Sequence, residues 1–268
     1  MSTHFPNAPL KEVIIELRWE PPAQLGHKLF TANGGPQLFF PSADFEAAMQ
    51  NVSAAVEQRG YKYVERVAPS GVPIPMHHIV CRYKEEPQSM RTLFQYGPGV
   101  FTVNATTPYK SWDDFTPIVR AGIEAICAAR SSEEKDLEFS VVSLRYVDMF
   151  GPALVDGVSS QAFIQDILGF KTELPNALSR LIDPEKEVNV VQNISLPLNG
   201  GLQMSVEIGE GTADGEKGVV MATTLSTLLP TAPNMDAVWS QLESAHKIIH
   251  GSFMTITEKL HAKMGQLQ

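Results

Sequence analysis

The chain has 268 residues and a mass of 29.4 kDa, about two ordinary domains or one large one at roughly 150 residues each. A composition of 43% hydrophobic, 8% aromatic and 19% charged residues excludes a wholly disordered chain and a coiled coil. The net charge of −9, with no basic stripe, speaks against a protein that grips nucleic acid by neutralising phosphates.

The opening Met1 to Pro9 lacks the cationic and apolar regions of a signal peptide, and no run approaches the ~18 apolar residues of a membrane helix. Cys81 and Cys127 make neither a disulfide framework nor a CxxC metal pair. Buried free thiols in a reducing compartment are the simple reading, and the expectation is a soluble cytoplasmic protein.

Lys11 to Glu20 alternates, with Val13, Ile15, Leu17 and Trp19 on one face, and reads as a strand with one buried side. Pro21 to Pro41 reads as a long loop. Ser42 is an N-cap for a helix whose apolar positions are Phe45, Met49, Val52 and Val56, with Gly60 at its end. Tyr61 to Arg66 is a short strand; residues 67–76 carry three prolines and are excluded from a central sheet. Strands resume at His77 to Tyr83, Arg91 to Tyr96 and Val100 to Ala105. Ser111 and Asp114 form a weak capping box before a helix with Trp112, Phe115, Val119, Ile123 and Ile126 on its buried stripe. Ser131 to Asp136 is the most polar connector.

Leu137 to Met149 opens the second half as a long strand, followed by less regular helical turns in 160–182. Val188 to Leu196 leads into the hairpin signal Asn199-Gly200; Asp214-Gly215 turns the next strand into Gly218 to Leu229. A final helix of ~30 residues, about Met235 to Met264, would span about 45 Å, with an end that overhangs a compact half.

Both halves repeat one order: strand, helical segment, antiparallel strands, long helix. Arg145 lies 127 positions after Arg18 in similar triplets, Leu-Arg-Trp and Leu-Arg-Tyr, and Trp239 lies 127 after Trp112. The same offset lays Tyr61 to Val64 on Val188 to Val191, and Ile79 and Cys81 on Val206 and Ile208. The expected fold is therefore α+β, with two pseudo-repeated halves, 1–132 and 133–268, packed as one unit. Joined edge to edge, they give a broad antiparallel sheet with long amphipathic helices on one face.

Ala8-Pro9-Leu10 through Arg18, Gln95-Tyr96-Gly97-Pro98 to Asn104, Trp112 with Phe115, and Leu144-Arg145-Tyr146-x-Asp148 come in an order that resembles a sporadically distributed bacterial protein family. The resemblance covers roughly residues 5–150. It implies a bacterial cytoplasmic protein of this length, and by association a defence-linked role; it implies no activity and no catalytic residues.

Arg18 and Arg145 are expected on the face opposite the helices, where paired guanidinium forks suit a carboxylate or phosphate; salt bridges to neighbours such as Glu16 and Glu20 are the competing reading. Glu243, His246 and His250 share one helical face, a weak metal candidate without the HExxH order; a histidine at a core edge is the commoner use. No phosphate loop or nucleophile elbow occurs, and no cofactor is expected. Phe94, Tyr96, Phe101 and Tyr109 read as packing rather than a base-stacking platform.

The functional expectation is a non-catalytic binding or regulatory protein recognising a protein partner or a small anionic ligand, with a homodimer through the last helix as a further option. The alternative is an enzyme with its site at the junction of the two halves, which close, strongly shifted titratable groups in a deep pocket would favour. A saddle-shaped nucleic-acid binder is the least favoured reading.

Overall fold

The computed structural model describes residues 5–29, 37–183, 188–213 and 215–265. Its strands are β1 (Leu10–Arg18), β2 (Gly26–Leu29), β3 (Leu38–Pro41), β4 (Tyr63–Arg66), β5 (Ile74–Pro75), β6 (Cys81–Lys84), β7 (Thr92–Gly97), β8 (Val100–Thr106), β9 (Val141–Phe150), β10 (Gln192–Leu198), β11 (Leu202–Ala213) and β12 (Glu216–Thr227). Two helices belong to the first half, α1 (Ala43–Glu57) and α2 (Trp112–Ala129). Three short ones, α3 (Pro152–Val155), α4 (Ser160–Ala162) and α5 (Asn176–Ser179), precede the long α6 (Met235–Ile256) and the terminal α7 (His261–Met264).

The fold is mixed α and β around one large antiparallel sheet. Nine strands run in the order β10-β11-β12-β9-β1-β8-β7-β6-β4. The two arginine-bearing strands, β1 and β9, are neighbours at its centre, with Glu16 opposite Ser143 and Leu17 opposite Val142. Alternation does the sorting. Val13, Ile15 and Leu17 meet Ala105, Val103 and Phe101 on β8, and all six are buried on one side. Against that side lie Phe115, Val119, Ile123 and Ile126 of α2 and Val238, Leu242 and Ile249 of α6, in one continuous core.

The caps follow their chemistry. The Ser42 hydroxyl accepts from the Asp44 and Phe45 amides; that of Ser111 accepts from the Asp114 amide and donates to its carboxylate at 2.7 Å. Where α2 crosses the sheet, a Cβ on Gly122 would lie 2.7 Å from a Val103 methyl and 2.8 Å from the Phe94 ring. Gly122→Ala is therefore expected to destabilise by about 1–3 kcal/mol in urea unfolding, because overpacking outweighs the ~1 kcal/mol helix-propensity gain.

Three segments differ from the reading of the sequence. The 21–41 stretch is not all loop: β2 and β3 pair there, and β5, from the proline-rich stretch, adds to β3. That stretch stays out of the nine-stranded sheet, as its prolines require. The final helix is not one rod with an overhang. It stops at Ile256, Thr257 takes a φ of −98°, and a 3-10 turn leads into α7. Leu260 and Met264 are buried in a second core with Phe5, Phe163 and Met221, so the apolar end offered to a dimer is used within the chain. Topologically, β6 and β10 are each the third strand outward from the central pair, whereas the constant offset of 127 lays Cys81 of β6 on Ile208 of β11. Asp214, one of the two expected turn residues, lies outside the described residues; Gly215 has a φ of +81°.

The polar connector is also more than a linker. Glu134 is buried, accepting from Trp19 Nε1 at 2.8 Å on one oxygen and from the Ser131 amide at 3.3 Å on the other. Arg130 lies over the Trp19 and Phe139 rings and donates to the Leu137 carbonyl at 2.7 Å. No helix among the described residues is long and apolar enough to cross a membrane.

Candidate functional site

Arg18 and Arg145 do emerge on the sheet face away from the helices, but they are separate. Arg18 is opposite Val141 and Arg145 opposite Ile14, which puts their Cα atoms about 14 Å apart at ~3.4 Å per residue along the strands. Arg18 pairs with Glu16 at 2.6 Å; Arg145 pairs with Glu207 at 3.0 Å and donates to Thr224. Glu20 bonds Lys28 instead. Inward along the same face, a hydrogen-bonded ladder runs from Arg82 through Gln95, Thr102 and Asn104 to Glu12.

Glu243, His246 and His250 stand together on α6, each with its own engagement. Glu243 accepts from Trp112 Nε1 at 3.2 Å, and His246 Nδ1 is hydrogen-bonded to the Tyr146 hydroxyl at 2.9 Å. The His246 ring lies flat against Trp112, centroids 4.4 Å apart at 5°, and the His250 ring is 5.6 Å from it. No group of three or more His, Cys, Asp or Glu among the described residues is placed to hold a metal ion.

These histidines form one wall of a cavity of ≈ 380 Å³. Its other walls come from both halves of the chain. Phe5 and Ala8 enter from the N-terminal segment, which is tied to α7 by the Asn7 amide donating to the Met264 carbonyl. Tyr109 and Trp112 come from the loop after β8 and the first turn of α2. Tyr146 and Asp148 project from β9, and Thr223 from β12. The sheet is irregular at this point, where the pairing of β1 with β9 shifts register between Leu10 and Glu12.

Asp148 is the anomaly. Its position is fixed by alternation: two steps from Tyr146 and four from Leu144, it must face the helices with them. It is 4% exposed and has no hydrogen-bond or ion-pair partner among the described residues, yet it lines the cavity. Buried carboxylates are normally paired. Burial alone pushes its carboxyl up to about 7 from the usual 3.8, so near neutrality it holds its proton about half the time. Burial, with the charge of His250 second, pushes His246 down to about 4, leaving a neutral imidazole. Burial also raises the Tyr109 and Tyr146 phenols, which hydrogen-bond each other. The result is a chain from Tyr109 through Tyr146 to His246 beside a carboxyl able to gain or lose a proton.

Of these residues, only His246 and His250 stood out in the sequence as site candidates. Tyr109 was assigned to packing. Asp148 carried a readable signal, a carboxylate in phase with the apolar face of a strand. A second cavity of ≈ 300 Å³ is bounded by Ser159, Gln161, Asn189 and Glu210, and there Glu210 accepts from the Ser160 hydroxyl at 3.0 Å.

Comparison with known proteins adds no family to this geometry: no family model matches the chain, and no curated protein does.

Proposed function

We propose that the chain is a small-molecule-binding protein whose site is the cavity at the junction of the two halves, with Asp148 as the group that recognises the ligand. The observation that carries this reading is the Asp148 carboxyl, without a partner among the described residues, at the wall of a largely apolar cavity. A site of this kind, apolar walls with a few convergent polar groups and a shifted titratable residue, is the ordinary form of a ligand pocket. The open sheet face supports an anion less well, since Arg18 and Arg145 are each matched by a glutamate and Glu12 adds further negative charge. A protein partner finds its support, among the described residues, in exposed apolar side chains such as Leu178 and Leu181.

An enzymatic reading of the same cavity is favoured by one specific observation. The Tyr109–Tyr146–His246 chain ends on an imidazole that is neutral across the physiological range, beside a carboxyl that exchanges its proton near pH 7. That arrangement suits general acid–base chemistry on a bound substrate. The duplication belongs to the same proposal. Its support is the strand order, which runs outward from β1 and β9 in corresponding hairpins, and the stacking of Trp112 on Trp239 at 5.9 Å. A bacterial, cytoplasmic setting with a defence-linked role is the context that the family resemblance adds.

Ligand-observed NMR screening of a fragment library tests the site. Ala8 is exposed at the cavity rim, so Ala8→Trp fills the mouth without entering the core. Fragments that bind the native chain and are lost in Ala8→Trp support the assignment; fragments that bind both equally overturn it.

A further inference from the structure

The junction-cavity reading can be carried to a ligand class. We propose that the cavity takes an organic ammonium ion: a positively charged nitrogen beside Asp148, joined to an apolar body that lies among the aromatic rings.

Three features of the walls point the same way. First, among the described residues Asp148 is the single carboxylate that lines the cavity, and none of them neutralises it. A buried charge without a partner is costly, and a ligand that brings the partner recovers that cost. Second, the surfaces around it are electron-rich rings. Tyr109 and Tyr146 are joined by Phe5 and Phe253, and the face of such a ring attracts a cation within about 6 Å. Third, the cationic side of the lining is weak. His246 is held neutral, and Lys110 is exposed at the rim. An anion would meet Asp148 with no guanidinium or ammonium inside, among the described residues, to offset it.

The polar and titratable groups that line the cavity with Asp148 are Tyr146 of its own strand, Thr223 of β12, His246 and His250 of α6, and Tyr109 with Lys110 of the loop after β8. Among them, His250 disfavours a charge on His246. An ammonium ligand requires the ionised carboxylate, so its affinity must strengthen as pH rises toward 8. A neutral ligand that accepts from the protonated carboxyl shows the opposite trend.

The inference rests on the cavity being a binding site, and the probes separate the two. Phenyltrimethylammonium and its neutral isostere tert-butylbenzene are titrated into the native protein at pH 5.5 and 8, and into Asp148→Asn at pH 8, with binding read by ligand-observed NMR. The expected result is at least tenfold tighter binding of the cation at pH 8, weakening at least threefold at pH 5.5. In Asp148→Asn the preference over the isostere disappears while the isostere itself still binds. Equal binding of the two probes to the native chain overturns the ammonium assignment and leaves the cavity as a site for neutral ligands. Binding of neither overturns both.

Discussion

Asp148→Asn is expected to make the protein more stable at pH 8, by about 2–4 kcal/mol. The carboxyl titrates near 3.8 when the chain is unfolded and at about 7 when folded. Between those values the folded chain holds a proton that the unfolded chain has released, so stability falls as pH rises from about 4 and the full loss is reached above about 7. Three units at ~1.4 kcal/mol each set the upper bound, and the desolvated amide of the variant reduces it. His246 acts in the opposite direction. Its imidazole would take up a proton near 6.5 unfolded but only near 4 folded, so it costs stability as pH falls through that interval. In the native chain the two slopes oppose each other between about pH 4 and 6.5. Removing Asp148 leaves the histidine slope unopposed by it, and the stability of the variant climbs with pH up to about 6.5. Urea unfolding at pH 5, 6.5 and 8 reads both effects; equal stability of the two proteins at pH 8 would show that Asp148 is not desolvated.

Glu134→Ala is expected to destabilise by about 3 kcal/mol or more. The substitution leaves the Trp19 indole N–H without an acceptor in a residue that is fully buried, and it leaves the Arg130 charge, 7% exposed, without the carboxylate that favours it most. Removing one member of a buried charged group costs about 3–5 kcal/mol, and an unsatisfied buried donor about 1–3. Glu134→Gln keeps the acceptor for Trp19 and loses only the charge, so it is expected to fall between the native chain and Glu134→Ala. A shift of the denaturant midpoint with an unchanged slope is the expected signature. If both variants unfold like the native protein, the connector is a solvated linker and not an anchor.

The legible parts of this fold were those governed by short-range rules. Alternation placed Val13, Ile15, Leu17 and Trp19 in the core, and hydroxyl capping chemistry located the starts of α1 and α2. It also placed Arg18 and Arg145 on the face away from the helices. What escaped depends on contacts distant in sequence. Glu134 reads as one acid in a polar run, and only Trp19, 115 residues earlier, makes it a buried acceptor. The break at Thr257 continues a helical pattern in sequence; it exists because Leu260 and Met264 find Phe5 and Phe163. His246 was visible as a core-edge histidine, but its partners Trp112 and Tyr146 lie 134 and 100 positions away. Asp148 is the instructive case: the alternation that buries Leu144 and Tyr146 also buries this carboxylate, and its lack of a partner is a property only of the assembled walls.

The central claim is that this carboxyl stands at the junction cavity without a partner among the described residues, poised to titrate near neutrality. The most direct measurement is the ¹³C shift of the Asp148 carboxyl, followed by NMR from pH 3 to 9 and assigned with Asp148→Asn. A midpoint close to 7 is the predicted result. A midpoint below about 5 would mean that Asp148 is solvated or paired, and would contradict the assignment of the cavity.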